Sequence, residues 1–261
     1  MQLFELRGSL PNRTRLILQL GGMIFFITLW WAVVQYFEIK PSLLPSPEKV
    51  LLAFKPLYFE SNILYHSSIS IKLNVLGYLE AVAIAIPLGF LIGLFPFFRG
   101  LLMRYVIVLR YLPLTALLGL MILWFGIGIN MKVQFLALGI LVYLLPVVVQ
   151  RIDEVKKIYV YTAQTLGASK WQIIKAVFIP DVISRVFDDI RVLVAISWTY
   201  IIITEVINRN QGGVGAVIYG AQRRGKLDEA FAGLIVIILI GFLQDRLMVF
   251  FDRRFFRHKY V

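Results

Sequence analysis

The sequence predicts an all-α fold: a polytopic membrane helix bundle of about six transmembrane helices carrying a cytoplasmic helical hairpin. Three observations lead there. Of 261 residues, 59% are hydrophobic and only 16% charged, with a mean hydropathy of +0.80. Six apolar runs each approach the ~20 residues that a hydrocarbon core requires. Between the fourth and fifth lies a stretch too polar to cross, whose helical periodicity is interrupted by a glycine.

The expected spans are 16–37, 73–95, 105–125, 132–150, 186–207 and 230–250, within one transmembrane domain of residues 16–250. A segment 1–15 precedes them and a basic tail 251–261 follows. The first run is too long for a signal core and lacks a small-residue cleavage site, so it reads as a retained span. The third is interrupted by Pro113, and the preceding "FFRGLLMRYVIVLRYL" suits a helix lying along the interface.

Basic residues orient the bundle. Arg7, Arg13 and Arg15 precede the first span, and Arg99 and Arg104 follow the second. Arg151, Lys156, Lys157, Lys170, Lys175 and Arg185 lie between the fourth and fifth, and the tail "DRRFFRHKYV" is basic too. With six spans all four segments share one side, so both termini are expected in the cytoplasm. The loop 208–229 falls outside yet carries Arg209, Arg223, Arg224 and Lys226. Membrane topology accounts for the net charge of +12, and no nucleic-acid partner is expected. With no cysteine and only His66 and His258, far apart in sequence, no metal centre is expected.

The polar stretch, about 153–180, reads as two short helices around a turn. Val155, Ile158, Tyr159, Thr162 and Leu166 recur on one face of the first. Asp153 and Glu154 suit its start and Gly167 its end. Ser169 with Gln172 forms a capping-box pattern for the second helix, Trp171, Ile174 and Phe178 share its face, and Pro180 is expected to end it. A hairpin this short cannot bury an apolar face alone. Packing on the ends of its own spans and docking on a partner protein are equally compatible with the spacing.

"TAQTLGASKWQIIKAVFIP" resembles the coupling loop of ABC-importer permeases. Ala163, Gly167 and Pro180 fall on that motif's second alanine, glycine and proline. "LLPSPEKV", "LRYLPLTALLGLMILWFGIG" and "DEAFAGLIVIILIGFLQDRL" resemble, in order, segments of its sulfonate, taurine, nitrate and bicarbonate branch. Tyr161 and Thr162 replace the motif's glutamate and first alanine, so any salt bridge from that glutamate is absent. The resemblance implies a transport subunit without an ATPase site, working as a homodimer in the cell inner membrane. Its partners would be an ABC ATPase subunit, which binds ATP and magnesium, and an extracytoplasmic substrate-binding protein; the chain itself would bind no cofactor. It implies a small, anionic solute. Leu166, Ala168 and Trp171 become candidates for the ATPase-docking surface.

"GAQRRGKL" (220–227) nearly matches a P-loop, but Leu227 stands where a hydroxyl would bind magnesium, so the match reads as chance. Glu80 lies within an apolar span, where an ionisable group is costly and commonly functional. It is a candidate for the translocation path or a link to a neighbouring span; pairing with Lys72 is the plainer expectation. Pro113 is a second path candidate, as a kink. "GFLIG" (89–93) permits close helix packing. Gly212, Gly213, Arg223 and Arg224 are candidates for an external gate or for docking the binding protein. The competing function is an autonomous secondary transporter or channel with Glu80 proton-linked; internal inverted repeats would favour it, and none is evident.

Overall fold

The computed structural model describes Gly8 and residues 10–259; Arg7, the remainder of the first nine residues, the side chain of His258 and tail residues 260–261 lie outside the described residues. Among the described residues all regular structure is helical. They form two compact units: the chain to Asn62 with Ile218–Leu234, and Ile63–Val217 with the chain from Ile235 onward.

The first unit holds α1 (Asn12–Tyr36) and α2 (Pro47–Phe59). Helix α1 is apolar all round and buries only Val34, as expected for a helix surrounded by lipid. Its Thr28 hydroxyl donates back to the carbonyls of Ile24 and Phe25, each at 2.9 Å, which satisfies that hydroxyl within the helix. Pro47 starts α2, where a missing N–H costs nothing, and Glu48 lies in its first turn.

The second unit holds α3 (Ile63–Leu94), α4 (Pro96–Leu109), α5 (Leu118–Phe125), α6 (Ile129–Asp153), α7 (Lys157–Thr165), α8 (Lys170–Ile173) and α9 (Ile179–Ile207). Helices α10 (Val214–Arg223) and α11 (Leu227–Phe255) contribute to both units. Five helices are long and apolar enough to cross a membrane, and up to six spans result if one bent pair counts as a span.

That pair replaces the straight span expected at 105–125. Helix α4 ends at Leu109, a 3₁₀ turn (Leu114–Leu117) leads into α5, and the two arms are bent by 91°. Pro113 cannot donate a helical hydrogen bond and drives Leu112 out of the α region, so the helix stops before it. Pro180, by contrast, does not end the second hairpin helix. One apolar helical segment runs from Lys170 to Ile207, and a π-turn at Ile174–Phe178 precedes the proline. Widening the turn there accommodates the lost N–H and the ring without breaking the rod.

Helix α6 is the most enclosed of the spans. Against it, α3 presents Gly77, Ala81, Ala85, Gly89 and Gly93, one small residue every fourth position, so they share a face. Helix α6 answers with Leu136, Ile140, Leu144, Val148 and Ile152, all buried. A Cβ added at Gly77 would lie 2.8 Å from Leu136, at Gly89 2.5 Å from Val148, and at Gly93 2.5 Å from Ile152. The three pairs keep one register, so the helices run parallel with small residues facing large ones. The G-x-x-x-G seen in the sequence is the lower end of this longer seam.

Gly89→Ala therefore overpacks a seam whose backbones cannot separate, and is expected to lower stability by about 1–3 kcal/mol. Gly100→Ala on α4, where an added Cβ meets nothing within 4 Å, is expected to leave stability unchanged or raise it slightly. Thermal unfolding of both variants in one detergent checks the contrast.

Candidate functional site

The hairpin occupies one end of the second unit. Asp153 closes α6 and Glu154 caps it, so neither acid starts the first hairpin helix as expected from sequence; α7 begins at Lys157. Gly167 makes the turn at φ +76°, a left-handed conformation that glycine adopts without strain. The expected capping box is present: Ser169 Oγ accepts from the Gln172 N–H at 3.3 Å, and Gln172 Oε1 accepts from the Ser169 N–H at 2.7 Å.

At the tip, Leu166 is 82% and Trp171 67% exposed, while Ala163 and Ala168 are half-buried and Pro180 is exposed. The face predicted from Val155 to Leu166 is not buried as a stripe. Val155 is buried, but Ile158, Tyr159 and Leu166 face outward. An added Cβ at Gly167 meets nothing within 4 Å.

Charges lock the base of the hairpin to the spans. Arg151 grips Asp189 of α9 with two hydrogen bonds of 2.7 Å and reaches Glu154 at 2.6 Å. Arg99 of α4 pairs with Asp153 at 2.5 Å. Arg185 pairs with Asp181 at 2.9 Å and lies 3.7 Å from Glu154. Hydrogen bonds from Arg151 and Gln150 hold the Glu154 carboxyl below its ordinary range. Arg191–Asp245 at 2.9 Å, and Lys259 with Asp188 and Asp252 at 3.0 and 2.9 Å, bind the end of α11 to α9. A bidentate arginine–carboxylate pair is the most geometrically specific of these contacts.

At the opposite end the glycine loop is held from three helices. Gly212 and Gly213 take φ of +77° and +111°. Three successive N–H groups, from Gly213 into the first turn of α10, each find a side-chain acceptor. Gly213 donates to His66 Nδ1 at 3.0 Å, Val214 to Ser70 Oγ at 2.9 Å and Gly215 to Glu205 Oε2 at 2.8 Å. Ser70 in turn donates to Glu205 Oε1 at 2.6 Å. Lys132 Nζ donates to the carbonyls of Asn208 at 3.0 Å and Gly212 at 3.5 Å. Lys132 and Glu205 are wholly buried, and a Cβ on Gly213 would overlap the Glu205 carboxylate. This is a helix N-terminus whose orphan donors are satisfied by a buried acid and its neighbours.

Sequence reasoning placed Gly212 and Gly213 here but missed Glu205, Lys132, His66 and Ser70. Glu205 carried a readable signal, an acid inside an apolar run, the same signal that singled out Glu80. The basic residues of the following turn behave differently from expectation. Arg224 and Lys226 pair with Glu229 at 2.9 and 2.6 Å, and only Arg223 of the gate candidates remains open to an outside acid among the described residues. The P-loop-like residues 220–227 are the end of α10, a turn at Gly225 and the first residue of α11.

Glu80 lies midway along α3 and is half-buried. Its partner is the Gln134 amide of α6, which donates at 2.9 Å, and not Lys72. It borders a cavity of about 240 Å³. Pro113 is exposed at the α4–α5 break.

Comparison with known proteins agrees with this arrangement. The family described as binding-protein-dependent transport system inner membrane component matches residues 85–257, more than half of the chain. The taurine transport system permease protein TauC of Escherichia coli (strain K12) is 28% identical over 246 residues, covering 92% of this chain and 89% of that protein. Among solved structures, the MetNI methionine ABC transporter in inward-facing conformations shares the fold. Its TM-score is 0.61 at 17% identity, with 78% of this chain and 97% of that chain covered. An amino acid ABC transporter crystallised with histidines gives a TM-score of 0.56 at 21% identity, over 80% and 96% of the two chains. This chain is therefore a member of the binding-protein-dependent transport system inner membrane component family, the multi-pass permeases of ABC transporters.

Proposed function

We propose that the chain forms, as one half of a homodimer, the translocation path of an importer for a small anionic solute, and is driven by a separate ATPase subunit. The observation that carries this reading is the continuous helical segment Lys170–Ile207. Its start belongs to the exposed hairpin, and its end carries Glu205, which holds the glycine loop. From Trp171 to Glu205 the rod is roughly 50 Å long at helical rise. An ATPase that moves the hairpin tip can thus move the loop without passing through flexible chain.

In this reading Leu166, Ala168 and Trp171 seat in a groove of the ATPase around Gly167, with Ala163 and Pro180 shaping the hairpin. The hairpin and both termini face the cytoplasm, consistent with the distribution of basic residues. ATP and magnesium bind the partner, and a binding protein delivers the solute from outside, with Gly212, Gly213, Arg223 and Arg224 the candidates for the external gate or its docking. The name of the taurine relative supports a sulfonate-like anion, with nitrate and bicarbonate in the same class. Coupling requires that the ATPase contact the hairpin differently in its two nucleotide states.

Gly167→Trp leaves the chain's own packing free, because nothing lies within 4 Å of an added Cβ. It is expected to abolish co-purification of the ATPase, while Gly167→Asn, which tolerates a left-handed φ, retains it. Recovery of the ATPase with the tryptophan variant, or its absence with the native chain in several mild detergents, would remove the importer reading.

Glu205→Gln removes the carboxylate charge near Lys132 and turns the amide N–H₂ either against the Gly215 N–H or toward Ser70, whose hydroxyl must then swing to the His66 carbonyl at 3.3 Å. The expected cost is about 1–3 kcal/mol of stability with ATPase binding intact. Uptake into reconstituted vesicles should fall, or passive leak rise, since the loop loses its cap; thermal unfolding and flux measurements together check this.

A further inference from the structure

The segment "LLPSPEKV" takes no part in the hairpin, the seam or the glycine loop, yet it helps to build a cavity within the first unit. The cavity, about 320 Å³, lies between the end of α1 and the start of α2. Gln35, Glu38, Ser46 and Lys49 border it, together with Val34 and Ile39. Ser46 is the N-cap of α2, where a serine hydroxyl ordinarily accepts from the helix's own N–H groups. Here it does not: the residue is only 8% exposed, and its hydroxyl has no partner among the described residues. Pro47 brings no N–H, and those of Glu48 and Lys49 find no acceptor among the described residues, while Val50 reaches the Ser46 carbonyl at 3.1 Å. Glu38 takes φ +48° at the end of α1, a left-handed position where glycine is the unstrained residue. The Glu38 and Ile39 N–H groups close the helix there on the carbonyls of Gln35 and Val34, at 3.4 and 3.1 Å. A carboxylate therefore stands where the backbone favours glycine, and neither it nor Lys49 forms an ion pair among the described residues.

We infer that this cavity binds the head group of an ethanolamine phospholipid from the leaflet that surrounds the end of α1. The lipid phosphate accepts from the Ser46 hydroxyl, from the first N–H groups of α2 and from the Lys49 ammonium. The head group's own ammonium donates to Glu38 and to the Gln35 side-chain carbonyl. At ~30 Å³ per water the cavity has the volume of about ten waters, enough for a head group of about eight heavy atoms. Its depth suits a lipid. Tyr36 and Phe37 are exposed where α1 leaves its apolar run, as aromatic residues are at a membrane–water boundary. Leu51 and Leu52 of α2 face outward, where an acyl chain would lie. A free oxyanion meets the Glu38 carboxylate with no cation to offset it. A phosphatidylglycerol head does the same, and a choline head cannot donate a hydrogen bond. The inference does not depend on the importer reading.

The test uses the full chain, delipidated in a mild detergent and titrated with phosphatidylethanolamine or phosphatidylglycerol of identical acyl chains. Native mass spectrometry reads the first lipid bound. The ethanolamine lipid should bind about ten- to a hundredfold more tightly, the range for one charged hydrogen bond. Lipids at other sites contribute equally to the native chain and its variants, so the difference between them reports the cavity. Glu38→Gly relieves the left-handed backbone, so it should melt no lower than the native chain before lipid is added. It should bind the two lipids equally. Lys49→Gln, at an exposed position, should weaken both lipids alike, because both carry the phosphate. Equal binding of the two lipids by the native chain, a preference that survives in Glu38→Gly, or full affinity in Lys49→Gln overturns the site. So does displacement of the lipid by an equal concentration of soluble O-phosphoethanolamine, which would make the cavity a site for free solutes. ATPase co-purification scores the importer reading separately, and both variants should retain it.

Discussion

Close approach of α3 and α6 is the constraint on which the second unit depends. Two spans in lipid gain little from burying apolar surface against each other, because lipid is equally apolar; packing and interhelical hydrogen bonds must hold them. Gly77, Gly89 and Gly93 remove the side chains that would keep α6 away, and Leu136, Val148 and Ile152 fill the space. That register also sets where polar groups meet. It puts Gln134 beside Glu80, and it places Lys132 and the His66–Ser70 pair around one loop. A seam slipped by one residue would carry every one of these groups to another face.

Helix α9 packs along this pair through Val182, Val186, Leu193, Val194, Trp198 and Ile201, all buried in one core, and a small set of polar contacts adds specificity. In the apolar interior, Asn74 donates to Ser197 at 2.9 Å, while Gln244 of α11 accepts from Trp198 and donates toward Asn74 at 3.5 Å. At the hairpin end Arg151 clamps Asp189, and at the loop end Glu205 holds the start of α10. A helix packed along its length and pinned by polar groups at both ends and at its centre suits rigid-body displacement better than local bending. The π-turn before Pro180 lies between the hairpin tip and the clamp, which makes it the natural place for any small angular adjustment.

Much of the candidate site was legible because its signals are local. The capping box at Ser169 and Gln172 and the glycine turn at 167 depend on residues within one or two turns, so spacing suffices to find them. Pro180 misled because proline ends a helix only if the backbone cannot widen to accept it, and a π-turn does so here. Arg224 and Lys226 misled for another reason: each is exposed, but both turn back on Glu229 three to five residues on, a local pairing that charge counting along a loop does not separate from an external one. Glu80 could be flagged but not partnered, because Gln134 lies on a different helix.

By itself the sequence determined that the chain is a bundle of membrane-spanning helices, roughly where they lie, and that a capped glycine-turn hairpin interrupts them. Composition, run length and period act residue by residue, and a bilayer leaves a helix little alternative. Only the tertiary structure decided which faces meet and what the buried charges do. The long seam of small residues facing large ones, and the cap on the glycine loop that draws on His66, Ser70 and Lys132, join residues tens of positions apart. Their pairing follows from how closely two particular backbones approach, and that distance is set by both helices together.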